Sequence, residues 1–240
     1  MSILPKRPLS ALRPLLLVAL AATLTQTPAQ TTDNADLWAT YGVDVGGSYA
    51  NLPLASYTAA WWQWAFSMPN ADSPMRDVTG KQCALNQSGE VWFIGGAFGG
   101  GKVRRTCTIP HGKALFFPVI TTIFYARPDT PSRCEDNTAD AAINNDHLAY
   151  AEATLNGIAI PRMDARRERS PGCFHLFSGE RAAAYGSSGY PAAVDGYWLM
   201  LRPLPPGDYT LKFRAQYHRP GERFGSMAQD VEYQLIIPTP

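Results

Sequence analysis

Asp195 is the residue whose type and setting first suggest chemistry. It stands directly before Gly196-Tyr197-Trp198, at the head of a strongly apolar strand pattern. Glycoside hydrolysis needs two carboxyl groups roughly 5 to 9 Å apart across the scissile bond. Glu152 and Glu180 are the candidates to complete such a pair with Asp195, and His111 offers a base for a hydrolase or lyase. A second set of residues is suited to binding. Trp92, Trp198 and Tyr190 present flat rings on which a sugar stacks. Arg104, within Lys102-Val103-Arg104-Arg105, presents a guanidinium fork for carboxylate, sulfate or phosphate. Each has a plainer reading. Val194-Asp195-Gly196 is equally a turn before a strand, aromatic residues in a sheet are core more often than platform, and a basic run is a strand's outer face.

Other chemistries find less in the chain. Gly96-Ala97-Phe98-Gly99-Gly100-Gly101-Lys102-Val103 lacks the Ser or Thr that a phosphate-binding loop places after its lysine to hold magnesium, and a strand pattern rather than a helix follows. Gly186-Ser187-Ser188-Gly189 lacks the spacing of a nucleophile elbow, although a triad assembled from distant residues stays open. His111, His147, His175 and His218 are scattered and form no zinc motif. Glu135, Asp136, Asp140 and Asp146 cluster without the calcium-loop pattern and read as a solvated helix face. No metal and no cofactor is therefore expected.

The first 29 residues carry Lys6, Arg7 and Arg13, then the apolar run Pro14 to Ala22, then small residues at Thr27-Pro28-Ala29. This order reads as a secretory signal peptide cleaved near Ala29, and the apolar run is too short to span a bilayer. Losing those three basic residues takes the net charge from +1 to −2. So balanced a mature chain argues against nucleic acid and against an electrostatic membrane partner. No later apolar run reaches 18 residues, so no membrane span is expected, and the protein is read as secreted or periplasmic. Four cysteines, Cys83, Cys107, Cys134 and Cys173, fit two disulfides in an exported protein. Of the three connectivities, Cys83–Cys107 with Cys134–Cys173 is preferred, because each closes a modest loop around a predicted hairpin or insert.

The elements that must position these residues are mostly strands. Residues 30–52 are polar and read as a flexible N-terminal arm, leaving 53–240 as one domain. Leu54 to Pro69 reads as a helix, with Ser56 as its cap; Tyr57, Trp61, Trp64 and Met68 share one face and Trp62 and Phe66 another, the pattern of a buried aromatic plug. A short second helix is expected within 136–149. Asn156-Gly157 marks a hairpin. Tyr197, Leu199 and Leu201 alternate with Trp198, Met200 and Arg202, and Tyr209 to Tyr217 and Val231 to Ile237 alternate apolar and polar residues; such period-two patterns are read as half-buried antiparallel strands. Together these predict an all-β, mainly antiparallel fold, a β-sandwich or jelly roll, carrying one aromatic helix and a short second one.

Several phrases combine into a resemblance that spans roughly residues 55 to 237. Trp61-Trp62-Gln63-Trp64-Ala65, Gln87-Ser88-Gly89-Glu90-Val91-Trp92-Phe93, the run Arg105 to Pro118, and Val194-Asp195-Gly196-Tyr197-Trp198 resemble a family of predicted secreted bacterial proteins to which no activity is assigned. The resemblance implies export and a bacterial source, and carries over no catalytic residues. The residues therefore favour a non-catalytic binding protein for an extracellular carbohydrate or polymer. A glycan-active hydrolase or lyase using Asp195 and an envelope interaction protein are the alternatives. Nothing in the sequence fixes an oligomeric state.

Overall fold

The computed structural model describes residues 37–222 and 225–240; the expected signal peptide lies outside the described residues. In chain order the elements are α1 (Leu37–Tyr41), β1 (Ser48–Tyr49), β2 (Leu52–Pro53), α2 (Ala55–Ala65), β3 (Val91–Phe93), β4 (Gly101–Thr108), β5 (Ala114–Tyr125), α3 (Cys134–Ile143), β6 (Leu148–Leu155), β7 (Ile158–Ala159), β8 (Arg167–Arg169), α4 (Gly179–Tyr185), β9 (Ala192–Leu201), β10 (Gly207–His218) and β11 (Ser226–Ile237). Two sheets, ordered β4-β11-β10-β6-β7 and β3-β5-β9-β8, pack face to face.

The C-terminal strands form as their period of two dictates. Tyr209, Leu211, Phe213, Ala215 and Tyr217 point inward from β10 while their neighbours face water, and β10 pairs with β11 from Gly207↔Ile237 to His218↔Ser226. Asn156 and Gly157, at φ 50° and 81°, supply the paired positive dihedrals of a tight turn joining β6 to β7. Phe117 of β5 meets Phe213 of β10 across the sandwich, ring centres 5.4 Å apart. Both disulfides have the expected pairing, Cys83–Cys107 and Cys134–Cys173.

Three expectations need correction. The sheets are mixed, because β4 runs parallel to β11 and β3 parallel to β5; a jelly roll, whose strands are antiparallel, does not describe them. There are four helices among the described residues, and α2 changes what its neighbours bury. It lies on the outer face of the four-stranded sheet and builds a second core there with Phe116, Val194, Trp198 and Met200. Strand β9 is consequently buried at all ten positions instead of facing water on one side. Finally, residues 37–53 are tied down rather than forming a loose arm. Trp38 sits in the inter-sheet core under the Arg166 guanidinium, 4.4 Å from ring centre. Val43 N–H donates to the Met200 carbonyl, and Arg202 N–H to that of Tyr41.

Candidate functional site

Strand β5 has 12 residues but its neighbour β3 has only three. Pairing runs from Val91↔Ala114 to Phe93↔Phe116, Ile94 N–H donates to the Phe116 carbonyl, and the chain then turns away at Gly95. Two residues later β5 bulges between Pro118 and Ile120, a place where a proline's missing N–H is tolerated. From Thr121 to Tyr125 the strand keeps β9 on one side and, among the described residues, has no strand on the other.

A cleft of about 670 Å³ runs along this open edge, within the usual size of a ligand site. Trp62 and Phe66 of α2 form one wall. Asn137, Asp140 and Asn144 stand on the opposite side, Gly96 to Gly99 close one end, and Arg127 lies at the other. Phe98 and Phe124 flank it as exposed aromatic rings.

Buried polar groups hold these walls. Three indole N–H groups pin α2: Trp61 donates to the Ile94 carbonyl at 2.9 Å, Trp64 to the Leu85 carbonyl at 2.9 Å, and Trp62 to Thr121 Oγ1 at 3.2 Å. Gln229 ties the glycine segment to β5, accepting from Ala97 N–H and donating to the Val119 carbonyl at 2.6 Å. A Cβ at Gly96 would stand 2.8 Å from Gln229 Oε1, so a side chain there would push the Gln229 amide from its place. Arg105, 1% exposed, donates to the carbonyls of Met75, Asp77, Gly95 and Gly96 and to the Tyr233 hydroxyl. Its guanidinium thus replaces the hydration of four loop carbonyls at once.

The cleft is nearly uncharged. Burial, reinforced by a hydrogen bond with Tyr185, pushes the Tyr125 phenol up to about 12, against the opposing pull of Arg127. Burial also raises Tyr217. Both phenols therefore stay neutral at physiological pH, leaving Arg127 and Asp140 as the charged lining groups. Thr122 Oγ1 and Ser132 Oγ are buried and lack a hydrogen-bond partner among the described residues. Unsatisfied hydroxyls of this kind are unfavourable until something supplies the missing bond.

The residues singled out from sequence lie elsewhere. Asp195 is 1% exposed on β9, its two carboxylate oxygens held by Arg167 Nε at 2.8 Å and Arg169 Nε at 2.6 Å. Arg167 also reaches Asp146 Oδ1 at 2.7 Å and the Ala142 carbonyl. His111 is exposed in the turn before β5, whereas Asp195 pairs with Thr122 near the far end of that strand; a strand of that length sets them about 26 Å apart. Glu152 is bound to Arg214 at 2.7 Å on the five-stranded sheet, and Glu180 opens α4. Trp92 and Trp198 are buried, the latter stacked on Phe116 at 5.0 Å and edge-on to Trp61 at 5.6 Å. They offer no open ring face. Tyr190 is half exposed and stacks on His175, and Arg104 pairs with Glu232 at 3.0 Å beside Lys212. Sequence reasoning missed Thr121 to Tyr125, Gln229 and Arg105 as builders of a site. Only Arg105 left a signal, its inward phase with Cys107 in the alternation of β4.

Among the described residues no group of three or more His, Cys, Asp or Glu side chains is arranged to hold a metal ion. Nor is any helix there long and apolar enough to cross a membrane. Fold and site together define a two-sheet sandwich with an outer helical layer and a cleft along an unpaired strand edge.

No family model matches the chain, and no curated protein sequence matches it. Two solved structures are weakly similar. A complex of PbICP-C with falcipain-2 gives a TM-score of 0.26 at 10% identity, covering 62% of this chain and 99% of that one. The solution structure of Amebosin gives 0.16 at 11% identity, covering 56% and 95%. Likeness at this level carries no argument about this chain.

Proposed function

We propose that this chain is an exported, non-catalytic binding protein that holds a segment of an extracellular polymer in the cleft beside β5. The carrying observation is the cleft itself: an apolar, nearly uncharged groove of about 670 Å³ lined by Trp62, Phe66, Phe98 and Phe124 with the polar side chains of Asn137 and Asn144 among them. Ligand sites combine a mostly apolar surface with a few convergent polar groups in this way. The disulfides are compatible with an oxidising compartment outside the cytoplasm, as is the expected signal peptide. Carbohydrate is one class of such a polymer, and here it would meet Trp62, Phe98 and Phe124 rather than Trp92 and Trp198. The hydrolase or lyase alternative draws little support, because both Asp195 oxygens already accept from arginines.

The test is a titration of the purified protein against panels of oligosaccharides and of unstructured peptides, read by tryptophan fluorescence and calorimetry. Phe98 and Phe124 are 45% and 37% exposed, so replacing both by alanine should spare the fold. Losing two aromatic contacts at a binding site should weaken a cleft ligand by about tenfold or more. A ligand whose affinity ignores that double substitution binds elsewhere and refutes this reading of the cleft.

A further inference from the structure

We infer that the cleft takes its ligand as an extended polypeptide, added as a strand to the open edge of β5. This rests on the cleft reading above and names the class of polymer it holds.

The argument begins with the phase of the hydrogen bonds. Ala126 N–H donates to the Pro191 carbonyl, continuing the β5–β9 ladder past Tyr125↔Ala192. In an antiparallel ladder alternate residues turn their N–H and C=O toward the same neighbour. Phe124 and Thr122 therefore face β9, and Tyr125, Ile123 and Thr121 turn their main-chain groups the other way. The β9 side agrees: Trp198 N–H and the Val194 carbonyl bond toward β8, at the Arg166 carbonyl and Ser170 N–H, which leaves Asp195 and Ala193 for β5. Before the bulge the phase is opposite, since the Phe116 carbonyl accepts from Ile94 on the β3 side. Among the described residues no strand or side chain bonds to the main chain of Thr121, Ile123 or Tyr125 on the open side.

Five residues of free edge extend about 17 Å, and a new strand would lie about 4.8 Å away, in the lane that β3 vacates after Phe93. An unpaired row of N–H and C=O groups is a template for main-chain pairing. A sugar or a compact apolar molecule meets such a row only in part, whereas a peptide backbone repeats at the same spacing. The walls then sort side chains. Thr121 and Tyr125 share the α2 side with Trp62 and Phe66, as the Trp62–Thr121 hydrogen bond and the 6.2 Å Phe66–Tyr125 ring separation show. Thr122 and Phe124 share the other side, toward Asn137, Asp140 and Tyr217. An added strand places alternate side chains against these two walls, so the fitting peptide alternates apolar with polar residues. Neither Arg127 nor Asp140 outweighs the other, so no net charge on the peptide is called for.

The probe is an acetylated, amidated hexapeptide of alternating valine and threonine, titrated with two derivatives N-methylated at either alternate set of residues. Methylation of the set facing β5 should reduce binding at least tenfold, and methylation of the other set should leave it within about twofold of the parent. Ile123→Pro supplies the protein-side test: it removes one outward N–H, on an edge where proline is tolerated, with Ile123→Ala as control for the lost side chain. Proline should reduce binding at least tenfold further than alanine. If the proline variant does not fold, the two methylated peptides still decide the matter on the unaltered protein. Equal binding of both derivatives overturns strand addition. A cleft-dependent oligosaccharide with no peptide response overturns it too, while the binding reading stands; silence from both panels removes both. A concentration-dependent dimer dissolved by Ile123→Pro would assign the edge to a second copy, and overturn the peptide assignment.

Discussion

Asp195→Asn separates a structural carboxylate from a catalytic one. In the native fold this 1%-exposed group accepts two charge-assisted hydrogen bonds, from Arg167 at 2.8 Å and Arg169 at 2.6 Å. Removing one member of a buried ion pair costs about 3–5 kcal/mol, chiefly by leaving the partner charge uncompensated. Two features place this case at or below the lower end. Arg169 is 53% exposed and can turn to water, and Arg167, 23% exposed, keeps Asp146 and the Ala142 carbonyl. Asparagine retains one acceptor oxygen as well. The expected loss is therefore about 2–3 kcal/mol, or about 4–12 °C in Tm for a domain of this size. Urea melts at neutral pH measure it, and a double-mutant cycle with Arg169→Met should show coupling of about 1 kcal/mol or more. A loss below about 0.5 kcal/mol with no coupling would refute the ion-pair reasoning. If that small loss came with abolition of a measured glycan-cleaving activity, Asp195 would return as a catalytic group.

Glu168 on β8, opposite Gly196, carries a pKa raised by burial. Its folded value exceeds its unfolded one, so protonation favours folding; the stability cost is absent at low pH and grows as pH rises through the folded value. Glu168→Gln should thus raise Tm at pH 7, on a scale of about 2–4 °C per kcal/mol, with the gain vanishing near pH 3; an equal gain at both pH values contradicts the assignment. Replacing Cys134 and Cys173 together by alanine frees a loop with a sequence separation of 39 and should cost about 4 kcal/mol on the chain-entropy account, measured by urea unfolding. Mild reductant followed by alkylation should label that pair before Cys83 and Cys107, since Cys107 is only 1% exposed. Arg105→Met leaves the Asp77 and Gly96 carbonyls without their Arg105 donor, while those of Met75 and Gly95 keep Phe98 N–H and the Tyr233 hydroxyl; it should cost about 2 kcal/mol or more and weaken any cleft ligand through the loosened Gly95–Gly96 segment, and unchanged stability would refute the role given to Arg105.

What could be read from the sequence was what depends on neighbours along the chain. Strands β10 and β11 declared themselves by alternation, the β6–β7 turn by Asn156-Gly157, and α2 by aromatic residues at helical spacing. The disulfide pairing followed because each cysteine pair closes a local loop. The rest depends on which elements meet. Nothing in the residues of β4 says that it lies parallel to β11, as parallel partners are distant in sequence. The burial of both faces of β9 follows from α2 lying on it, and that in turn hides Trp198. Asp195 looked like a free carboxylate because its partners Arg167 and Arg169 lie 28 and 26 residues away along the chain. Their spacing of two, suited to one face of a strand, was the available clue.

The cleft escaped notice for a further reason: no residue type encodes a missing neighbour. It arises from a mismatch, 12 residues in β5 against three in β3, and from the bulge that follows. An unbroken strand would keep the phase of Phe116, so that Thr122 and Phe124 would bond toward the open side and Thr121, Ile123 and Tyr125 toward β9. The extra residue at Pro118–Ile120 reverses that, turning the Thr121 and Tyr125 side chains toward α2 and Thr122 and Phe124 toward α3. The Val119 carbonyl that the bulge throws out of the ladder is taken by Gln229, whose other end holds Ala97. One irregularity thus sets the phase of the free edge and anchors the segment that closes its end. The cleft is therefore coupled to fold stability through Gln229 and Arg105, and substitutions at either should change affinity and stability together, whereas Ile123→Pro should lower affinity well beyond Ile123→Ala, which loses the same side chain from the second core.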